Sequence, residues 1–160
     1  MSDILLIGIG NISRGDDGIG WLFADDIELC YGQSITVEKE FQLVVEDALK
    51  ITGYDMVVFV DASKNELDNG FDFRKITMPE MIKTAFTSHA QSPLNIFFLA
   101  SDLFQYRQEA YIMEIGGKEW GLGQGISDYA SQNLQRGLAF FKGWLAEKLR
   151  DQRTEYSTSV

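Results

Sequence analysis

The amino-acid sequence predicts an α/β fold of three layers, a mostly parallel twisted sheet flanked by helices on both faces. Three observations carry this. Residues 4–7 and 56–60 are short continuous apolar runs, the pattern of strands buried on both sides. Segments with helical spacing of apolar residues alternate with the strands, as a parallel sheet requires. The first run also passes straight into a glycine-rich loop containing Gly8, Gly10 and Gly15, and from there into a helix. Glycines let such a loop turn tightly and let other groups approach its backbone.

The helix predicted over 18–29 places Ile19, Leu22, Phe23, Ile27 and Leu29 on its apolar side and turns Asp25, Asp26 and Glu28 outward. Gly32 ends it as a C-terminal cap. Residues 34–37, short and β-branched, read as a second strand, and 46–52 as a helix ending at Gly53. Residues 56–60 give the strongest strand signal and end on Asp61, an ionisable group at the carboxyl edge of the sheet. That edge is where open α/β sheets bind ligands. Residues 63–69 are polar and read as a loop, 71–77 as a further strand, and 78–86 as a short helix or an irregular segment. Ser92 followed by Pro93 is a helix start, serine as N-cap and proline in the first turn, for a helix over 94–104. Residues 109–115 read as a strand broken by Gly116 and Gly117, and 121–125 as a flexible glycine-rich connection. Ser127 caps a long helix over 128–150, with Leu134, Leu138, Phe141, Leu145 and Leu149 in one apolar stripe. Lys142, Lys148 and Arg150 suit the C-terminal end of its dipole. Trp120, Phe140, Phe141 and Trp144 are assigned to the core, as is Cys30 late in the first helix. Residues 1–150 are expected to form one domain, and 151–160 a polar tail that frays.

At 160 residues, 45% of them hydrophobic, the chain can bury a real core and does not have the composition of a disordered segment. Its net charge of -10 argues against nucleic acid and anionic membranes as partners, since both reward basic patches. The single cysteine, Cys30, excludes an internal disulfide and any multi-cysteine metal site. The N-terminus lacks the basic region of a secretory signal, and no apolar run reaches the roughly 18 residues of a membrane span. The expectation is a soluble protein of the cytoplasm.

Two kinds of chemistry fit the first loop. Gly8 and Gly10 after a strand suggest dinucleotide binding, with Glu38 near the second strand as the ribose acid. The third fingerprint glycine is Ser13, however, and Asp16 and Asp17 would repel a pyrophosphate at the helix start. The other is a metal or general-acid site. Asp16 or Asp17 follows the first strand, Asp61 follows another, and His89 lies in a loop predicted to return to the same edge. Two carboxylates and an imidazole suit a borderline divalent metal with open positions, the arrangement hydrolysis needs. Against this, one of the paired acids is expected to cap the helix, Asp61 could merely end its strand, and His89 could be structural. His89 is the only histidine, so any histidine-dependent chemistry must use it. No G-x-S-x-G turn supports a serine hydrolase.

These residues together resemble the hydrogenase maturation endopeptidases, which remove a C-terminal extension from the large subunit of nickel-iron hydrogenases. The resemblance rests on Gly8-Ile9-Gly10-Asn11 with Asp16-Asp17-Gly18-Ile19-Gly20, on Gln42-Leu43, and on Tyr54-Asp55 leading through Val57-Val58-Phe59-Val60 to Asp61-Ala62. It continues with Ser88-His89 and with Gly123-Gln124-Gly125-Ile126-Ser127 before the last helix. It departs after Asp61, where residues 63–70 keep one glycine and no proline. The family implies a twisted sheet between helix layers, of the phosphorylase/hydrolase-like kind. It implies that Asp17, Asp61 and His89 bind nickel and carry the catalysis, with Asp16 as a supporting group or alternative ligand. It also implies that the nickel arrives with the precursor, so that the enzyme reads the metal before cutting. Either a metal-bound water or a carboxylate base would then do the hydrolysis. The rival readings are a binding module that holds the metal-loaded precursor without cutting it, and a Rossmann-like nucleotide binder.

Overall fold

The computed structural model describes residues 3–77 and 91–159. Over these residues five strands form one sheet: β1 (Ile4–Ile9), β2 (Thr36–Glu40), β3 (Met56–Ser63), β4 (Phe71–Lys75) and β5 (Glu109–Gly116). Their order is β2-β1-β3-β5-β4. β1 runs parallel to both β2 and β3, β3 runs parallel to β5, and only the edge strand β4 is antiparallel to its neighbour. The helices are α1 (Ile19–Tyr31), α2 (Asp47–Ile51), α3 (Pro93–Phe104) and α4 (Asp128–Thr158). The three-layer α/β class expected from the sequence is the one observed.

Alternation along the buried strands divides the core in two. Leu6, Val58, Val60, Met113 and Ile115 pack against Phe23, Ile27, Leu138 and Phe141 of α1 and α4. Leu5, Ile7, Val57, Phe59 and Ile112 pack against Ala48, Ile51, Ile96 and Ala100 of α2 and α3. All six residues of β1 are buried. At about 1.5–3 kcal/mol per fully buried large apolar side chain, these two layers dominate the favourable side of folding.

Several elements differ from the sequence expectation. β2 begins at Thr36 and runs on to Glu40, and β3 continues through Asp61 to Ser63, so Asp61 lies among the last residues of the strand rather than after it. Leu29 is 87% exposed: it stands about 200° around the helix from Ile27, at roughly 100° per residue, and so faces away from the sheet. Cys30 is also exposed, in a last turn of α1 where Glu28 and Leu29 face solvent too. Phe141 is fully buried, but Phe140 is 47% exposed and lies against Phe71 at 5.3 Å. The segment expected to fray is helical, because α4 continues to Thr158. Ser92 and Ser127 cap their helices as expected, accepting from the N–H groups of Asn95 and Ala130 at 3.1 Å. Residues 78–86 lie outside the described residues, and no described helix is long and apolar enough to cross a membrane.

Candidate functional site

The strand order contains a switch point. From β1 the chain crosses to β2 on one side, and β3 then returns to the other side of β1. Connections that diverge in this way leave a crevice beyond the carboxyl ends of the two central strands. Asp17 follows β1, in a 3₁₀ turn over Gly15–Gly18, and Asp61 sits near the end of β3, so the two candidate acids meet at that crevice.

Two glycine positions make the approach possible. A Cβ on Gly20, in the first turn of α1, would overlap the carbonyl oxygens of Ile9 and Val60. Its absence lets the helix start press onto β1 and β3. Gly10 has φ +144°, and a Cβ there would overlap the carbonyl oxygen of Asp17. That carbonyl accepts the N–H of Asn11 at 3.0 Å, which closes the loop on itself.

Asp61 is half-buried and its carboxyl is pushed up to about 7. Burial is the main cause; the negative charges of Asp17 and Glu114 add to it, and the N–H of Ala62, donating at 2.8 Å, opposes it. Asp61 shares the sheet face of Phe59 and Val57, the α2/α3 side, and lies level with Glu114 of β5. Glu114 accepts from Arg74 Nη1 at 3.1 Å, and the same nitrogen donates to Asp72 at 2.8 Å. Glu114 and Arg74 did not emerge from the sequence as site residues. The available signal was an acid interrupting the apolar strand at 109–115; which residue it would face depends on register.

The paired acids have opposite fates. Neither caps a helix through its side chain. Asp16 is fully buried and accepts four hydrogen bonds: from the N–H groups of Lys118 at 2.8 Å and Glu119 at 2.9 Å, and from the N–H and hydroxyl of Ser127 at 2.7 and 2.8 Å. Burial alone would raise its pKa, but these four donors hold it below the usual carboxylate value. With four donors on its two oxygens, Asp16 serves as a structural anchor. It ties the first glycine loop to the cap of α4 rather than capping a helix itself. The glycine-rich stretch 121–125 is correspondingly held rather than free: Gly15 N–H donates to Gln124 at 3.2 Å, and Gly123 N–H to Ser13 at 2.9 Å.

The remaining candidate, His89, lies outside the described residues. Gln91 pairs with Leu43, which brings the start of α3 beside the loop that follows β2. Glu38, the acid a bound ribose would need, is taken by Lys50 at 2.8 Å. Among the described residues no three histidine, cysteine or acidic side chains assemble as a metal site. Asp17 and Asp61 are two hard oxygen donors at one mouth, of the type that a divalent cation accepts as part of its shell. Two surface depressions, of about 670 and 590 Å³, lie around Gln33 and Ser34 at the far end of α1 and contain none of the candidate residues.

No family model matches this sequence and no curated protein matches it, but solved structures do. The NiFe hydrogenase maturation protease HycI from Thermococcus kodakarensis superposes with a TM-score of 0.63 at 24% identity, over 93% of each chain. The hydrogenase maturating endopeptidase HybD from Escherichia coli gives 0.64 at 15% identity, over 91% of this chain and 93% of that one. The Escherichia coli endopeptidase HycI gives 0.64 at 23% identity, over 90% and 91%. At these identities the likeness is one of fold, and it extends through nearly the whole of each molecule.

Proposed function

We propose that this chain is a hydrogenase maturation endopeptidase, which removes the C-terminal extension of a nickel-iron hydrogenase large-subunit precursor after nickel has been inserted. The observation that carries the reading is the convergence of Asp17 and Asp61 at the switch-point crevice, in a fold shared with proteases of hydrogenase maturation.

The electrostatics suit a cation that arrives with the substrate. Without one, Asp61 lies among Asp17 and Glu114, half-buried, and keeps its proton up to about pH 7. A cation brought to the mouth relieves that repulsion and favours release of the proton, so binding and deprotonation are coupled. Asp17, Asp61 and His89 are proposed to contact the precursor's nickel. The metal would fix the scissile bond against the crevice and polarise its carbonyl. Asp16 acts through position, holding the turn that presents Asp17.

The test is the intact mass of a nickel-loaded large-subunit precursor before and after incubation with the protein, with Asp17→Asn and His89→Ala run in parallel. Loss of one C-terminal peptide with the wild type, and a drop of at least about a hundredfold in rate with each variant, is expected. A stable complex of unchanged mass would instead make the chain a non-cleaving binding module.

A further inference from the structure

Large apolar side chains are exposed on both lips of the crevice. One lip is the joined pair of glycine loops on the α1/α4 side, where Ile12 is 50% and Leu122 is 70% exposed. The other is the loop between β2 and α2, with Phe41 66% exposed and Val44 and Val45 beside it. These side chains stand on fixed backbone. Gly123 and Ser13 join the first lip at 2.9 Å. In the second, Val44 N–H donates to the buried Asp47 at 2.8 Å, Gln91 N–H donates to Leu43 at 3.3 Å, and Phe41 packs on Trp21 at 4.9 Å. Trp21 is itself held through its indole N–H to the Glu40 carbonyl at 2.9 Å. The floor between the lips carries the carboxyls of Asp17, Asp61 and Glu114, with the Arg74 guanidinium paired to Glu114 at 3.1 Å.

From this arrangement we infer that the two apolar lips form a docking surface for a folded protein, whose docked segment carries apolar side chains on either side of a cationic centre. Large apolar side chains exposed together mark an interaction surface, and rigid presentation lowers the entropy that docking must offset. The carboxylates select the sign of the centre, because a like-charged segment would be repelled by the floor as well as by a chain of net charge -10. The inference rests on the processing function proposed above, and it adds that Leu122, Ile12 and Phe41 determine how tightly the precursor is held. Their side chains carry no reacting group, so their contribution falls on KM rather than kcat.

The experiment measures cleavage kinetics and sizing-column binding of the nickel-loaded large-subunit precursor with wild type, Leu122→Asp, Ile12→Ser and Phe41→Ser. Leu29→Ser and Leu103→Ser, exposed apolar positions in the last turns of α1 and α3, serve as controls. Each lip substitution should raise KM about tenfold with kcat within about twofold, while the controls match wild type. Thermal melting identifies any variant that has lost its fold; Ile12→Ser and Leu122→Asp, both on exposed loop tips, provide two independent readings. Wild-type KM in all three lip variants would overturn the docking surface and leave the processing function standing. A wild type that neither binds nor cuts the precursor would overturn both. A dimer of this chain that Leu122→Asp dissolves, without precursor binding, would give the surface to a second copy and overturn the assignment.

Discussion

Asp61 costs the folded protein stability when it is charged. Its pKa rises from the ordinary 3.8 to about 7, so the folded state holds this proton more tightly than the unfolded chain does. The penalty on the fold therefore grows as pH rises from about 4 to about 7 and is complete above that, reaching about 4 kcal/mol at roughly 1.4 kcal/mol per unit. Asp61→Asn should thus stabilise the protein by about 2–4 kcal/mol at pH 8 while abolishing processing, and the gain should shrink to under half by pH 5. Urea midpoints across that range check it; a gain independent of pH would place the burden elsewhere. Asp16 shows the opposite economy. It is more deeply buried, yet four donors make its charge favourable, and its contribution is lost only as pH falls below the ordinary carboxylate range. Two aspartates, Asp16 and Asp61, are thus shifted in opposite directions, and the difference comes from how many donors each one meets.

At the scale of elements, the site depends on how closely α1 approaches β1 and β3. Gly20→Ala inserts a methyl against the Ile9 and Val60 carbonyls, which side-chain rotation cannot relieve. It should cost about 1–3 kcal/mol in denaturant unfolding and slow processing by displacing the Asp17 turn. Gly143→Ala, in the exposed middle of α4 with nothing within 4 Å of the new methyl, should instead stabilise by about 0.5–1 kcal/mol. The two substitutions are chemically identical and differ only in what faces them. α4 also shows how far local propensity extends. Beyond Arg150 its residues are polar and mostly exposed, yet the hydroxyls of Thr154 and Ser157 still bond to carbonyls four residues earlier and the helix persists. A polar composition read as fraying was compatible with a helix that needs no cover.

Across the whole molecule the excess of acids matters most. With 24 acidic and 14 basic residues the compact state repels itself, and among the described residues most lysines are committed to pairs, such as Lys50 with Glu38, Glu40 and Asp47, and Lys142 with Asp26. Raising ionic strength from about 10 to 150 mM should therefore increase Tm, because screening relieves more repulsion than the exposed pairs lose. A fall in Tm would mean that the ion pairs outweigh net charge. The same imbalance adds to the carboxylates at the crevice, and under the proposed docking it would favour a cationic centre on the partner.

The sequence by itself determined what depends on neighbours within a few residues. The buried strands, the caps at Ser92 and Ser127, the end of α1 at Gly32 and the apolar stripe of α4 all follow from local spacing and local hydrogen bonds. The pairing of Asp17 with Asp61 was legible only as far as each belongs to the carboxyl end of a strand of an α/β sheet; that they meet was decided by the order β2-β1-β3-β5-β4, which no local pattern encodes. The tertiary structure alone decided that Asp16 is spent on donors 102–111 residues away, that Glu114 stands level with Asp61, and that the second glycine loop is bound to the first. Contacts at such separation depend on register and on the path of whole elements, and a single residue's type carries almost nothing about either.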